Sequence, residues 1–182
     1  MFASGSSFQT EAWNILYYKQ TGGAPTSATS PTLALAPRAG QWDSLDLTAP
    51  HVRIGTGASK FTLYYAANGD ATKPSFVTQI GVATSSDGTN WTRGSAPALG
   101  VPAFDGTMNT SNPTTARPDA WGVTDPWVMT DNGSTVMYYA GLDCSGGTSC
   151  TFQIFRTTSS DNGVTFAPGS VVLSARQGIA EE

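Results

Sequence analysis

The sequence predicts an all-β fold assembled from repeated four-stranded antiparallel sheets, and three observations predict it. The composition favours strands and turns over helices: the 182 residues include 20 Gly and 11 Pro, and only 12% are charged. One long passage occurs twice, with its landmarks at a fixed offset. Each occurrence closes its third strand with the same Ser-Ser-Asp turn.

The two copies read as follows. Residues 49–99 contain APHVRI, KFTLYYAA, TQIGVATSSDGTNW and APAL, and residues 125–173 contain DPWVMT, STVMYYAG, FQIFRTTSSDNGVTF and SVVL. The tyrosine pairs Tyr64-Tyr65 and Tyr138-Tyr139 lie 74 positions apart, and so do Ser85–Asp87 and Ser159–Asp161. Each copy predicts four short strands. The first is apolar and follows a proline, over His51–Ile54 and Trp127–Thr130. The second alternates, with Phe61, Leu63 and Tyr65 on one face and Thr62, Tyr64 and Ala66 on the other. The third spans Gln79–Thr84 and Gln153–Thr158. A tight turn at Asp87-Gly88, or at Asp161-Asn162-Gly163, leads into a fourth strand opened by Trp91 or Phe166.

A four-stranded antiparallel unit repeated beside itself is a β-propeller blade. A third, shortened copy precedes the other two: AWNILYYKQ has Tyr17-Tyr18 in the tyrosine position, and TSATSPTLAL stands where a third strand and its turn belong. The predicted organisation is one partial propeller domain over 1–182. It holds a degenerate partial blade at 1–40, a blade at 41–103 and a blade at 104–176, about two and a half blades in all. A closed propeller needs four or more, so further blades are expected from chain beyond this sequence or from a neighbouring protomer.

Charge and composition exclude several classes of function. The net charge is −4, and the nine Lys and Arg are scattered, so no basic face predicts a nucleic-acid partner. No apolar run approaches the roughly 20 residues of a membrane span, and no membrane partner is expected. The N-terminal MFASGSSFQT lacks the charged and apolar regions of a signal peptide; either one has been removed or the chain begins inside a longer protein. No metal site is expected, because Cys144 and Cys150 would need further ligands and the single histidine, His51, is distant in sequence. No organic cofactor is implied either.

The passage from Gln41 to Arg93 resembles the five-bladed propeller glycosidases of the arabinanase, levansucrase and invertase superfamily, which includes glycoside hydrolase families 43, 32 and 68. The residues that carry the resemblance are Trp42-Asp43, Ala49-Pro50, Tyr64-Tyr65 and Ile80 through Trp91, and in the second copy Phe104-Asp105, Asp125-Pro126, Tyr138-Tyr139 and Asp161. It covers roughly residues 40–175 and implies a five-bladed propeller if complete, a glycosidase acting on or binding a carbohydrate polymer, and no obligatory cofactor, although some relatives hold a calcium or chloride ion. A second resemblance is to sialidases: SSDNGVTF at 159–166 fits their Asp-box, in which the aspartate bonds nearby backbone N–H groups and the aromatic anchors the hairpin. That motif carries fold information, and the nominated arginines Arg53, Arg117 and Arg156 have no motif behind them. A non-catalytic propeller that binds glycan or protein is the alternative to a hydrolase.

Glycoside hydrolysis uses two carboxyl groups, one protonated as acid and one ionised as base or nucleophile. Asp125, in VTDPWVM, is the first candidate, since the resemblance implies a sugar-facing carboxylate at an Asp-Pro on the inner strand. Its other reading is a cap for the turn before Pro126. The sister copy has Ala49 at that position, so the fold does not require a carboxylate there. His51, Arg53, Trp127 and Asp43 are the candidate substrate-binding residues. His51 and Arg53 alternate with Val52 and point together. Trp121 and Trp127 flank Asp125 and offer a stacking surface. Asp43 and Asp105 each follow an aromatic residue, which equally fits a structural turn, and Asp87 and Asp161 are turn residues. The general acid expected from the resemblance is a glutamate, and the only glutamates are Glu11, Glu181 and Glu182.

Cys144 and Cys150 bracket the glycine-containing loop CSGGTSC, short enough to let the sulfurs meet. A disulfide there implies an extracellular or periplasmic protein. Thiol titration of denatured, unreduced protein is expected to find no free thiol; two titratable thiols would remove both the bridge and that localisation.

Overall fold

The computed structural model describes residues 2–6, 12–18, 30–55, 59–69, 77–99, 119–143 and 151–174. Among these residues all regular structure is β. The strands are β1 (Phe2–Ser6), β2 (Trp13–Tyr17), β3 (Thr32–Leu35), β4 (Asp46–Ile54), β5 (Phe61–Asn68), β6 (Gln79–Ser85), β7 (Thr92–Arg93), β8 (Val123–Asp131), β9 (Ser134–Asp143), β10 (Thr151–Ser159) and β11 (Ser170–Leu173). They form three antiparallel sheets, ordered β1-β2-β3, β4-β5-β6-β7 and β8-β9-β10-β11. The two full copies in the sequence are therefore two separate four-stranded blades, and the shortened copy is a three-stranded one. The leading strands β1, β4 and β8 lie side by side, which makes them the inner strands of a partial propeller.

Two clusters of buried side chains hold the stack together. Ile15 and Leu35 of the first sheet pack against Leu47, Leu63, Tyr65 and Ala83 of the second. The opposite face of the second sheet, with Tyr64, Ile80, Val82 and Leu99, packs against Val128, Met137, Tyr139, Phe155 and Phe166 of the third. The alternation in β5 explains the division: Leu63 and Tyr65 point one way and Tyr64 the other, so the central sheet is apolar on both faces. The tyrosine hydroxyls follow suit. Tyr65 donates to Asp43 Oδ2 at 3.0 Å beneath its own sheet, while Tyr64 donates across the seam to the carbonyl of Gly163 at 3.0 Å. A buried ring contributes roughly 2–3 kcal/mol and the hydrogen bond about 1. Burial therefore drives the seam, and the hydroxyl fixes its register.

The Ser-Ser-Asp turns match between the blades. Asp87 accepts from the backbone N–H groups of Thr89 and Asn90, each at 2.8 Å, and Asp161 accepts from those of Val164 and Thr165 at 3.1 and 2.9 Å. Bonds from the Asn90 backbone, then from Thr89 and the Asn90 side chain, hold the Asp87 carboxyl well below the usual carboxylate range; bonds from the Ser159 and Thr165 hydroxyls do the same for Asp161. Gly163 has a positive φ of 94°, and a Cβ there would collide with the Tyr64 hydroxyl, so the turn needs glycine for two reasons.

Three boundaries differ from those read in the sequence. The inner strands are longer than His51–Ile54 and Trp127–Thr130 because pairing resumes on the far side of a bulge. Trp91 lies just ahead of β7. The last strand of the third sheet begins at Ser170 and not at Phe166, whose ring is buried in the seam and whose backbone N–H donates to Ala98 of the second sheet at 2.9 Å.

The bulge is the same in both blades. Between the Thr48–Ala66 and His51–Tyr64 pairs, Ala49 and Pro50 face a single partner residue; Asp125 and Pro126 do the same between Thr124–Ala140 and Trp127–Tyr138. Ala49 and Asp125 carry positive φ values of 48° and 51°. A β-carbon in that left-handed region costs roughly 1–2 kcal/mol, while glycine's extra chain entropy costs roughly 0.5–1 kcal/mol. Ala49→Gly is accordingly expected to leave stability unchanged or raise it by up to about 1 kcal/mol, whereas Ala83→Gly in the regular, buried part of β6 destabilises. Denaturant midpoints of the two variants check this; an Ala49→Gly loss equal to that of Ala83→Gly would show that the bulge is unstrained.

Candidate functional site

Asp125 stands at the left-handed position of the bulge in β8, near the start of an inner strand. It is exposed, and among the described residues its carboxylate meets no hydrogen-bond partner. The turn-cap reading is thus unsupported, although the backbone offers a different structural reason for the residue: aspartate tolerates the left-handed region better than alanine. Ala49 forms the same bulge without a carboxylate, so the charge is not needed to make the bend.

Two residues on, Trp127 is 52% exposed. Its ring lies edge-on to His51, with centroids 6.4 Å apart, and tilted against Tyr138 at 6.0 Å. Of the tryptophans that flank Asp125 in sequence, Trp127 is the accessible one; Trp121 is buried against Leu142. An exposed carboxylate and an exposed indole therefore stand two residues apart on one inner strand.

His51 and Arg53 sit at the seam between the second and third sheets. His51 Nε2 lies 3.0 Å from the Val128 carbonyl, which can only accept, so Nε2 carries a hydrogen. Arg53 donates to Thr130 Oγ1 at 3.0 Å and Thr135 Oγ1 at 3.3 Å and reaches Asn162. These bonds occupy the guanidinium with inter-sheet bridging. A polar groove of about 540 Å³ beside it is lined by Arg53, Ser59, Thr62, Thr130 and Asn162. It opens at the far ends of β4 and β8 from Asp125, so it is not an extension of the Asp125 surface.

Asp43 lies elsewhere, which corrects its place among the substrate-binding candidates. It is fully buried and ion-paired to Arg38 at 2.9 Å and Arg93 at 3.0 Å, and it accepts from Tyr65. Removing one partner of such a buried cluster costs about 3–5 kcal/mol, the signature of an anchor. Tyr65 is correspondingly pushed well above the usual phenol range, first by burial and then by the Asp43 charge. Its counterpart in the third sheet is Asp119, buried and bonded by Tyr139 at 2.6 Å. Sequence pairing had matched Asp43 with Asp105, which lies outside the described residues. The signal that finds Asp119 is spacing: Asp43 precedes Ala49-Pro50 by the interval at which Asp119 precedes Asp125-Pro126. Asp46, a further carboxylate on β4, accepts the Trp13 N–H at 3.0 Å and ties the first sheet to the second. Arg156 pairs with Asp131 at 3.4 Å. Arg117, Cys144, Cys150 and all three glutamates lie outside the described residues. Among the described residues no three His, Cys, Asp or Glu side chains are grouped to hold a metal ion.

No protein-family model matches the chain, and no curated protein matches it by sequence. Solved structures do. A family 117 glycoside hydrolase from the marine bacterium Zobellia galactanivorans matches with a TM-score of 0.63 at 14% identity, over 91% of this chain and 44% of its own. A protein described as a glycoside hydrolase matches with a TM-score of 0.64 at 13% identity, over 91% and 51%. The β-1,2-mannobiose phosphorylase of Listeria innocua matches with a TM-score of 0.59 at 15% identity, over 96% and 40%. At these identities the likeness is one of fold: the chain has the propeller architecture of glycoside hydrolases and spans about half the length of these proteins.

Burial lowers the pKa of His51, partly offset by its bond to Val128. A lowered folded pKa means that the unfolded state binds the extra proton first, so stability is lost as pH falls from about 6.5, the ordinary histidine value, toward the folded value. Unfolding midpoints of the wild type are expected to fall across that window, and His51→Gln is expected to flatten the dependence there. A His51→Gln profile parallel to the wild type would assign the window to other groups.

Proposed function

We propose that this chain is a carbohydrate-binding propeller of glycoside hydrolase build, with Asp125 as the ligand-facing carboxylate and Trp127 as the stacking surface. The observation that carries this reading is the unengaged Asp125 carboxylate on the left-handed bulge of an inner strand. An exposed carboxylate accepts hydrogen bonds from sugar hydroxyls, and an exposed indole covers the apolar face of a pyranose ring. The fold likeness supports carbohydrate as the ligand class. Hydrolysis is the second reading. It requires a carboxyl on the other side of the scissile bond, and Asp43, Asp46 and Asp119 are each committed to other bonds. Binding is therefore the activity that one chain's described residues support best. Extracellular or periplasmic location belongs to the same proposal and rests on the bridge expected from the sequence between Cys144 and Cys150.

Asp125→Asn separates the two roles of the residue. Asparagine tolerates the left-handed backbone as well as aspartate does and keeps the shape, so the denaturant midpoint is expected to stay within about 0.5 kcal/mol of wild type. Affinity for a panel of soluble plant and algal polysaccharides, measured by affinity electrophoresis, is expected to fall about tenfold or more, the loss of one charge-assisted hydrogen bond. Full retention of binding by Asp125→Asn would overturn the assignment.

A further inference from the structure

The groove at the Arg53 end of the seam between the second and third sheets has two adjoining lobes, of about 540 and 460 Å³, which share Ser59, Thr62 and Asn162. Either volume falls in the range of small-ligand clefts. The second sheet forms its floor, and Thr130 with the turn at 161–164 of the third sheet forms the opposite wall. The floor is one row of polar side chains. Arg53 pairs with Thr62, Thr62 with Thr84 and Thr84 with Thr92, so β4, β5, β6 and β7 each give one residue to it. The row lies on the face that Tyr64 and Val82 bury further along the strands. Among the described residues the hydroxyls of Thr62, Thr84 and Thr92 have no hydrogen-bond partner. Strand pairing does not ask for such a row: at the same level and register the third sheet has Met129, Val136 and Thr158.

Arg53 supplies a charge that its own surroundings leave uncompensated. Arg38 and Arg93 each pair with Asp43, and Arg156 pairs with Asp131. Arg53 instead donates to Thr130, Thr135 and Asn162, all through neutral oxygens, and has no carboxylate within ion-pair distance among the described residues. Those bonds use its hydrogens without neutralising it. The contacts to Asn162 are long, at 3.4 and 3.5 Å, and an oxyanion replaces them with shorter and stronger ones. The carboxylate that does line the groove, Asp161, belongs to the lobe away from Arg53. Its oxygens accept from Ser159, Val164 and Thr165 within its own turn.

We propose that this groove is a second carbohydrate-binding site, for an acidic saccharide whose carboxylate sits on Arg53 and whose hydroxyls run along the threonine row. The planar fork of a guanidinium matches the two oxygens of a carboxylate. A threonine hydroxyl both donates and accepts, as a sugar hydroxyl does. Neighbouring strands lie about 4.8 Å apart, so the three steps from Arg53 to Thr92 cover roughly 14 Å, about the length of a trisaccharide. On the opposite wall Val164, 56% exposed, offers an apolar surface to the C–H groups of a sugar ring. The groove lies at the other end of β4 and β8 from Asp125, and the proposal does not rest on the reading of that residue.

Isothermal titration calorimetry of the whole chain at low ionic strength tests the site, with trigalacturonate, neutral galactotriose and sodium sulfate as probes. Trigalacturonate is expected to bind, and to bind more weakly as salt is added. The neutral trisaccharide and sulfate alone are expected to bind about tenfold less tightly or worse. Arg53→Met is expected to weaken trigalacturonate about tenfold or more, and Thr62→Val and Thr84→Val severalfold each. Arg53 also bridges the seam, so its loss can unfold the chain; Thr62→Val carries no such risk, because the third sheet has Val136 at that place. No binding of trigalacturonate overturns the proposal, and so does equal binding of the neutral trisaccharide. Sulfate that binds as tightly as trigalacturonate also overturns it, since the groove then holds a bare anion and no saccharide. An affinity unchanged by both Thr62→Val and Thr84→Val places the saccharide elsewhere on the chain, which overturns the groove and leaves the Asp125 reading standing.

Discussion

The architecture depends on a single constraint: the middle sheet has neighbours on both faces and must be apolar on both. A strand can meet that demand only if consecutive side chains, which point opposite ways, are both suited to burial. The dipeptide Tyr64-Tyr65 is the compact solution. Each ring fills a different seam, and each hydroxyl finds a partner that sets position, Asp43 beneath the sheet and Gly163 across it. The turn at Asp161-Asn162-Gly163 is shaped by the same contact, because the Tyr64 hydroxyl leaves no room for a side chain at Gly163. Turn chemistry and core packing are thus one problem solved together.

Aspartate serves several physical ends in this small structure, and three of them show how environment separates one from another. At Asp43 and Asp119 it is buried beneath a tyrosine hydroxyl and closes the base of a blade. At Asp87 and Asp161 it gathers the N–H groups of a hairpin turn that would otherwise be left to solvent. At Asp125 it meets no partner among the described residues. The first two roles consume the carboxylate's hydrogen-bonding capacity inside the protein. The third leaves it available, which is the sense in which Asp125 differs from the rest.

Much of this was legible in the sequence. The duplicated tyrosine pairs and Ser-Ser-Asp turns were enough to place two separate four-stranded sheets, because these features answer to strand alternation and local turn geometry. The full reach of β4 and β8 was not legible, since a proline normally ends a strand and nothing local says that pairing resumes beyond it. The function of Asp43 was misread for a related reason: its partners Arg38 and Arg93 come from separate segments, and only the folded chain brings them together. Arg53 and His51 were correctly read as pointing together, but the alternation that shows this cannot show that a neighbouring sheet will claim them. The glutamates and both cysteines fall outside the described residues, so the reading of the acid and of the bridge rests on sequence.

The bulge at Asp125-Pro126 sets where the Asp125 side chain goes. Two residues facing one twist the inner strand and turn its start away from the regular ladder, so the side chain at the first bulge position leaves the packed seams. A residue held in the left-handed region is costly unless its surroundings over-determine it, and such positions gather at sites of function. Here the surroundings do over-determine it: the proline that follows cannot donate to the ladder, and the pairs on either side are fixed by Tyr138 and Ala140. In the second blade the same bend is made with alanine, which contributes nothing to a ligand and bears the full steric cost. In the third it is made with aspartate, which is better tolerated by that backbone and carries a charge out of the core. The fold accounts for the bend in both blades, and in the third the backbone's tolerance of aspartate stands beside the proposed ligand role as a reason for the residue.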